Sequence, residues 1–477
     1  MRVLIAASEG SPFSKTGGLG EVIGSLHREL LGLGINSTLI TPLYKGIKER
    51  FNLSDTKISI PINIGDRIYR AGVFSLKKEN SLFIDCPYFF ERDELYGTSE
   101  GGYPDNAERF IFFSRAILEA ISSLGIYPDI IHINDWQTAL IPAYTKTIYR
   151  ERFGSTPTLL TIHNLGYQGI FPEYAYKLSA LPYELFTPKG IEYYGNMNFL
   201  KAGIVYSTAI STVSPTYSKE ILTPEYGFGL DGVLRDRKDT LTGILNAIDT
   251  ELWNPAKDKF IAKNYTKKDI SGKALCKDSL AKECRFDRKN PILSMVGRLS
   301  SQKGIDIFAK ASEEIIKEGI NIIVLGKGDS EYEEILKGLA NKYKKRFSLR
   351  LGFDEAFAHR VYAGSDIVVV PSRYEPCGLT QMIAMRYGSV PVARRTGGLS
   401  DTITDYMHLR ERGNGFMFLD YSPDALLNAI KRAICVYREP EKWNKIIVSA
   451  MRCDFSWSES AKKYISLYKT LIKRIRR

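Results

Sequence analysis

Short apolar runs alternate with stretches of helical period along the whole chain. Residues 3–7 (Val-Leu-Ile-Ala-Ala), 37–41, 81–84, 129–133, 158–162 and 209–213 have the length and continuous hydrophobicity of strands buried on both faces. Between them, Leu19, Val22, Ile23, Leu26, Leu30 and Leu31 fall on a 3.6-residue period over 19–32, and 105–123 and 136–150 predict further helices. The pattern then restarts. It predicts strands at 291–296, 321–325, 366–370 and 389–393, a strand-like segment at 347–351, and helices at 303–317 and 330–342. Strand–helix alternation builds parallel α/β sheets, and here it occurs twice. The stretch 222–271 between the two blocks is irregular, with Gly227, Gly229, Gly232, Gly243 and Pro255, and the hinge is placed near 243–256. The expected organisation is α/β, with two doubly wound parallel-sheet domains over 1–245 and 246–454 and a last helical segment over 455–477. In such sheets ligands sit beyond the carboxyl ends of the strands, and two such sheets facing each other would put a cleft there.

Composition narrows the class. A chain of 477 residues exceeds one compact core, and 44% hydrophobic with 25% charged residues is an ordinary globular balance. No apolar run reaches the ~20 residues of a membrane helix. The start of the chain is strand-like and lacks the features of a secretory signal, so the expected location is cytoplasmic. The net charge of +12 suits an anionic partner. Part of the excess is the terminal Lys473, Arg474, Arg476 and Arg477, read as a solvated tail. Aromatics do not interleave with basic runs, so neither nucleic acid nor membrane is an expected partner. Six cysteines without a C-x-x-C pair, and five histidines, predict neither a zinc site nor a disulfide framework, and no cofactor or metal is expected.

The residues just after the strands carry the chemistry. Lys15-Thr16-Gly17-Gly18-Leu19-Gly20-Glu21 joins the first strand to the first helix. Bare N–H groups at a helix start, beside a lysine, suit a phosphate. The spacing is neither a dinucleotide fingerprint nor a P-loop, and an ordinary glycine-rich turn is the alternative. Asp135-Trp136 follows strand 129–133. A carboxylate beside an indole suits a sugar, whereas the alternative makes Asp135 a helix cap and Trp136 a core ring. His163-Asn164 follows strand 158–162, and Asn246 lies at the hinge; all are hydroxyl binders.

In the second block Arg298 and Lys303 flank the turn after strand 291–296, a fork and a point charge suited to a diphosphate. Glu375 sits in Pro371-Ser372-Arg373-Tyr374-Glu375-Pro376-Cys377-Gly378-Leu379-Thr380, after strand 366–370. It can bind sugar hydroxyls or balance charge developing at an anomeric carbon. Thr396-Gly397-Gly398-Leu399 is a second glycine-rich helix start that offers N–H groups to an anion.

In this order and spacing, these motifs resemble the bacterial and plastid glycogen/starch synthases, retaining glucosyltransferases of the GT-B fold, over nearly the whole chain. The resemblance implies transfer of glucose from ADP-glucose to the non-reducing 4-hydroxyl of an α-1,4-glucan such as glycogen. It implies that Lys15 meets the distal phosphate and that Arg298 and Lys303 clamp the diphosphate. Gly18 and Thr396 to Leu399 lie near phosphate and glucose. Glu375 holds the transferred glucose, with the loop residues Cys377, Gly378, Leu379 and Thr380 around the donor. His163 and Asn246 bind its 6-hydroxyl, Phe353 covers the base, and Asp135 and Trp136 serve the acceptor side. The implied mechanism is front-face and metal-free, with the leaving phosphate oxygen taking the acceptor proton and the cationic clamp as the main electrostatic aid. The final helix is implied to cross back to the first domain. Glu21, near the nucleoside, stands where many relatives have Asp. Ile383 stands where many GT-B enzymes carry a second glutamate, as is usual in synthases of this type. Rival readings are a sucrose- or trehalose-phosphate-type synthase, a non-catalytic glucan-binding homologue and a basic nucleic-acid binder, whose affinity would fall steeply with salt. UDP-glucose is the alternative donor.

Overall fold

The computed structural model describes residues 1–98, 101–406 and 412–475. Arg476 and Arg477 of the basic tail lie outside the described residues. The chain divides into two compact units, Met1–Ile244 with Trp457–Arg477, and Leu245–Ser456. Among the described residues no helix is long and apolar enough to cross a membrane.

The first unit is built on a nine-stranded sheet. From edge to edge its order is Leu241–Gly243, Ala209–Thr212, Thr158–Ile162, Ile130–Asn134, Arg2–Ala6, Asn36–Pro42, Ser81–Asp85, Arg67–Leu76 and Ser54–Ile64. The first seven are parallel, and register sets Leu4 beside Thr38 on one side and Ile131 on the other. The last two form an antiparallel hairpin that a search for continuous apolar runs misses. Its signal is alternation: Ile60, Ile62 and Ile64 are buried while Pro61 and Asn63 are exposed, and Gly65-Asp66 make the two-residue turn. The helix expected over 136–150 is instead a turn at Trp136–Thr138 and two short helices, Ile141–Lys146 and Arg150–Phe153. Pro142 accounts for the first break. It has no N–H to donate backward and its ring excludes the preceding turn, so a helix can start there but cannot run through it.

The C-terminal helix Trp457–Ile475 belongs to the first unit and packs against helix Gly18–Gly32. It buries Trp457, Ala461, Tyr464, Tyr468 and Leu471, while Ile465 is only half-buried. A buried polar chain ties it to the sheet. The Tyr468 hydroxyl is 2.7 Å from His132 Nδ1, His132 Nε2 is 2.6 Å from Thr161 Oγ1, and that hydroxyl is 2.6 Å from Ser211 Oγ. Burial, with a minor push from His163, lowers the His132 pKa to about 3. Tyr468→Phe is expected to cost about 1–3 kcal/mol, because it leaves a buried ring nitrogen unsatisfied. His132 in the unfolded chain titrates near 6.5. Its contribution is therefore full above pH ~6.5 and is lost progressively as pH falls toward 3. Denaturant midpoints measured from pH 7 to pH 4 check this, and the slope should shrink in His132→Asn.

The second unit carries a six-stranded parallel sheet in the order Phe347–Leu351, Asn321–Gly326, Ile292–Val296, Ile367–Val370, Val390–Arg394, Phe416–Phe418. The stretch read as irregular, 222–271, does contain helix Asp231–Asp236 and strand Leu241–Gly243. Beyond them it is pinned to the second unit. Trp253 stacks on His359 at 4.2 Å, and Asp258 accepts hydrogen bonds of 2.6 Å from both His359 Nδ1 and the Tyr387 hydroxyl.

Candidate functional site

In the second unit two loops meet at the carboxyl ends of the adjacent strands Ile292–Val296 and Ile367–Val370. They form a recess lined by Val296, Gly297, Lys303, Ser372, Glu375 and Thr380. Lys303 Nζ lies 2.6 Å from Glu375 Oε2, and Ser372 Oγ donates to the same oxygen at 2.8 Å. Glu375 is 4% exposed, so its charge is held by a cation and a hydroxyl rather than by water. Arg298 is exposed on the same turn. The turn is pressed against its neighbour. Gly304 has φ +75°, and a β-carbon there would come within 2.1 Å of the Pro371 carbonyl oxygen.

Glycines 397 and 398 have a role that differs from the sequence expectation. A β-carbon at Gly397 would sit 2.0 Å from the Glu375 carbonyl oxygen, and one at Gly398 would sit 2.2 Å from that of Cys377. The Gly398 N–H donates to the Glu375 carbonyl at 3.1 Å, and the Leu399 N–H to the Thr396 carbonyl at 3.1 Å. Two of the N–H groups expected to hold an anion are therefore spent internally, and the buried Thr396 to Leu399 turn braces the loop that carries Glu375. Gly378, at φ +75°, makes the sharp bend after Cys377. Leu379 caps helix Thr380–Arg386 from the half-buried rim, and Thr380 Oγ1 reaches the Val296 carbonyl at 3.5 Å.

Asn246 is 5% exposed and its backbone N–H faces the Cys377 thiol, which burial holds in its neutral form. Asn246 Oδ1 is buried without a hydrogen-bond partner among the described residues. An orphan acceptor of this kind costs about 1–3 kcal/mol and calls for an outside donor such as a hydroxyl. Phe353 stands 80% exposed on the turn after strand Phe347–Leu351, with Gly352 at φ +112°.

In the first unit Lys15 Nζ pairs with Glu21 Oε2 at 2.8 Å across the start of helix Gly18–Gly32, where Gly18 is exposed. The loop is anchored by Glu9, a residue no sequence pattern singled out. Glu9 is 3% exposed and accepts from the Thr16 N–H at 2.6 Å, the Thr16 hydroxyl at 2.8 Å and the Tyr96 hydroxyl at 2.7 Å. Gly20 permits the close approach, since a β-carbon would lie 2.7 Å from the Ser14 carbonyl oxygen.

Asp135 does not cap the following turn. At φ +55° it turns back to accept the His163 N–H at 2.7 Å. Burial raises its pKa to about 7, opposed by the hydrogen bonds from the His163 and Asn164 backbone. The Asn134 amide donates to the carbonyls of Ala6 and His132, which fixes its oxygen toward His163 Nε2 at 3.0 Å. His163 Nε2 is thus the protonated nitrogen and Nδ1 carries the lone pair. Burial lowers the pKa of this ring to about 3, so it is neutral at physiological pH and can accept a hydrogen bond from a hydroxyl. Trp136 departs from the sugar-platform expectation. Its ring is 9% exposed and packs against Phe110 at 4.9 Å, Phe171 at 5.7 Å and Phe199 at 6.2 Å, so it braces Asp135 from within the core.

Residues 2–236 match the starch synthase catalytic domain, and residues 277–447 match glycosyl transferases group 1. A glycogen synthase of Thermodesulfovibrio yellowstonii is 48% identical, covering 99% of this chain and 98% of its own. One of Syntrophotalea carbinolica is 44% identical, covering 99% of both. The chain belongs to the glycogen and starch synthase family. It is a glucosyltransferase that uses a sugar-nucleotide donor and a glucan acceptor. The catalytic domain of starch synthase IV from Arabidopsis thaliana, solved with ADP and acarbose, superposes with a TM-score of 0.92 at 32% identity over 99% of both chains. This is the GT-B fold. A sucrose-phosphate synthase of Thermosynechococcus elongatus shares that fold at a TM-score of 0.62 and 19% identity. For a synthase of this family, Glu9, Tyr96, Asn134 and Ser372 are the polar partners that sequence reasoning missed. Each acts by holding a neighbour, and none belongs to a repeating pattern.

Proposed function

We propose that the chain transfers glucose from ADP-glucose to the non-reducing 4-hydroxyl of an α-1,4-glucan with retention of configuration, in the cytoplasm. The observation that carries this reading is the Lys303–Glu375–Ser372 cluster at the strand ends of the second unit. Glu375 and Lys303 together give the donor what it needs. The carboxylate takes glucose hydroxyls and balances charge at the anomeric carbon, and the ammonium takes the phosphate oxygen as the glycosidic bond breaks. Arg298 adds a fork for the diphosphate, and Lys15 meets its distal phosphate once Glu21 releases it. With the diphosphate departing on the face from which the acceptor hydroxyl attacks, its oxygen takes the acceptor proton and no side-chain nucleophile is required. The glucose 6-hydroxyl has one hydrogen to donate, which the orphan Asn246 Oδ1 accepts, and the lone pair of neutral His163 serves a further sugar hydroxyl. Phe353 offers an open ring to the base, and the ADP in the Arabidopsis structure supports adenine. Asp135, braced by Trp136, serves the acceptor.

Labelled-glucose transfer to glycogen, with ADP-glucose and UDP-glucose in parallel and with and without chelator, tests the reading. Chelator-resistant transfer from ADP-glucose is expected. Transfer only from UDP-glucose would keep the chemistry and revise the base pocket around Phe353 and Glu21. Asn246→Ala supplies a further check. It should lower kcat/KM about 10- to 100-fold by removing a hydroxyl acceptor, yet leave Tm unchanged or raised because an unsatisfied buried oxygen is gone. A lower Tm with full activity would make Asn246 structural.

A further inference from the structure

Tyr421 has no part in the roles above, yet it stands where the segments of Lys303 and Glu375 meet. It follows the edge strand Phe416–Phe418 and is half-buried. Its hydroxyl donates to Asp306 Oδ1 at 2.5 Å, and the Ser301 carbonyl oxygen lies 3.3 Å from it. Ser301 precedes Lys303 in the turn Ser301–Lys303, and Asp306 follows it in the first turn of helix Ile305–Lys317. The hydroxyl thus meets the chain on both sides of Lys303. Burial and the Asp306 carboxylate push the Tyr421 pKa up, so the hydroxyl keeps its proton and stays a donor.

The ring of Tyr421 faces the other segment. The Arg373 guanidinium lies over it at 4.4 Å from the centroid, and that of Arg394 at 5.5 Å. Arg373 stands two residues before Glu375. Its N–H donates to the Gln302 carbonyl at 2.9 Å, its carbonyl accepts from Arg394 Nη1, and its guanidinium reaches Asp306 Oδ2 at 3.6 Å. That ion pair is long and Arg373 is 57% exposed, so by itself it fixes little. Among these side chains it is the short, charge-assisted bond from Tyr421 to Asp306 that has a defined geometry.

The loop that carries Tyr421 is held without this hydroxyl. Arg394 Nε donates to the Leu419 carbonyl at 3.0 Å, and Ser422 Oγ caps helix Pro423–Tyr437 by accepting the Ala425 N–H at 3.2 Å. We propose that Tyr421 is a positioning residue for glucosyl transfer, fixing the Lys303 ammonium against the Glu375 carboxylate through Asp306 on one side and Arg373 on the other. The inference rests on the reading of Lys303 and Glu375 as the pair that meets the donor. A misplacement of about 1 Å in such a pair costs about 100-fold in rate, so a brace that never touches substrate still shows in turnover.

Tyr421→Phe removes the hydroxyl and keeps the ring under Arg373. With glycogen as acceptor, kcat should fall about 5- to 20-fold while the KM for glycogen holds. In the Lys303→Ala background the same change should lower kcat by less than about twofold, because the group it positions is gone. A merely structural role would cost the same in both backgrounds. Acetylation of Lys303 by an N-hydroxysuccinimide ester, followed by peptide mass spectrometry on the full chain, reads the pair without a donor. Its rate should rise about two- to fivefold in Tyr421→Phe as the ammonium loosens from Glu375. Equal losses of kcat in both backgrounds, no loss in the wild-type background, or an unchanged acetylation rate each overturn the role. Faster acetylation in the variant of a chain that transfers from neither ADP-glucose nor UDP-glucose supports the positioning of Lys303 while overturning the reaction it is proposed to serve.

Discussion

Replacing Lys303 by alanine is expected to lower kcat about 100- to 1,000-fold, the cost of removing one group aimed at charge that develops in a transition state. Lys303 lies 2.6 Å from Oε2 of Glu375, the carboxylate proposed to hold the glucose. In the free enzyme the pair neutralises itself, and in the proposed mechanism the ammonium serves two anions once the donor phosphate arrives. The side chain is 30% exposed, so its removal leaves Glu375 with Ser372 and with access to water, and Tm should move little. Lys303→Arg should recover only part of the rate, because a planar fork replaces a point charge. The double variant Lys303→Ala with Glu375→Gln should be no worse than the weaker of the two singles, since residues that act as a unit are not additive. Steady-state rates on glycogen with matched thermal melts decide it. Near-wild-type turnover in Lys303→Ala would move the leaving-group cation to Arg298 or Lys15.

What the chain discloses before folding depends on whether a feature repeats. The buried parallel strands are runs in which every residue is apolar, so Val3 to Ala6 and Ile367 to Val370 are visible by inspection. The hairpin of residues 54–76 hides because only every second residue turns inward, as with Ile60, Ile62 and Ile64. The break at Pro142 was legible, and periodicity outweighed it wrongly. The site divides in the same way. The candidate ligand-binding residues sit just past strand ends, and position alone singles them out. Residues that hold them do not: Glu9 is one acid in a glycine-serine stretch, and only folding brings Tyr96 and Thr16 to it. Trp136 shows the opposite failure. Its place after a strand suggested an open ring, but Phe110, Phe171 and Phe199 arrive from three other segments to bury it.

Glycine also divides into two kinds, and a pair of identical substitutions should separate them with opposite signs. Gly338→Ala, within helix Ser330–Lys342, has open space around the new β-carbon and should stabilise by about 0.5–1 kcal/mol through helix propensity. Gly397→Ala adds the same atom where φ is +44° and the Glu375 carbonyl oxygen is 2.0 Å away. The left-handed backbone and the forced shift together should cost about 2–5 kcal/mol. That shift falls on the backbone of Glu375, whose carbonyl also accepts the Gly398 N–H. A displacement near 1 Å at the carboxylate is enough to lower kcat about 100-fold, even in the molecules that remain folded. Rates measured at 15 °C, where the variant stays folded, separate the two effects. A low Tm with normal kcat would mean that the loop bearing Glu375 is braced by something other than this turn. A normal Tm would mean that the turn at Thr396–Leu399 yields, and that its glycines answer to a bound phosphate after all.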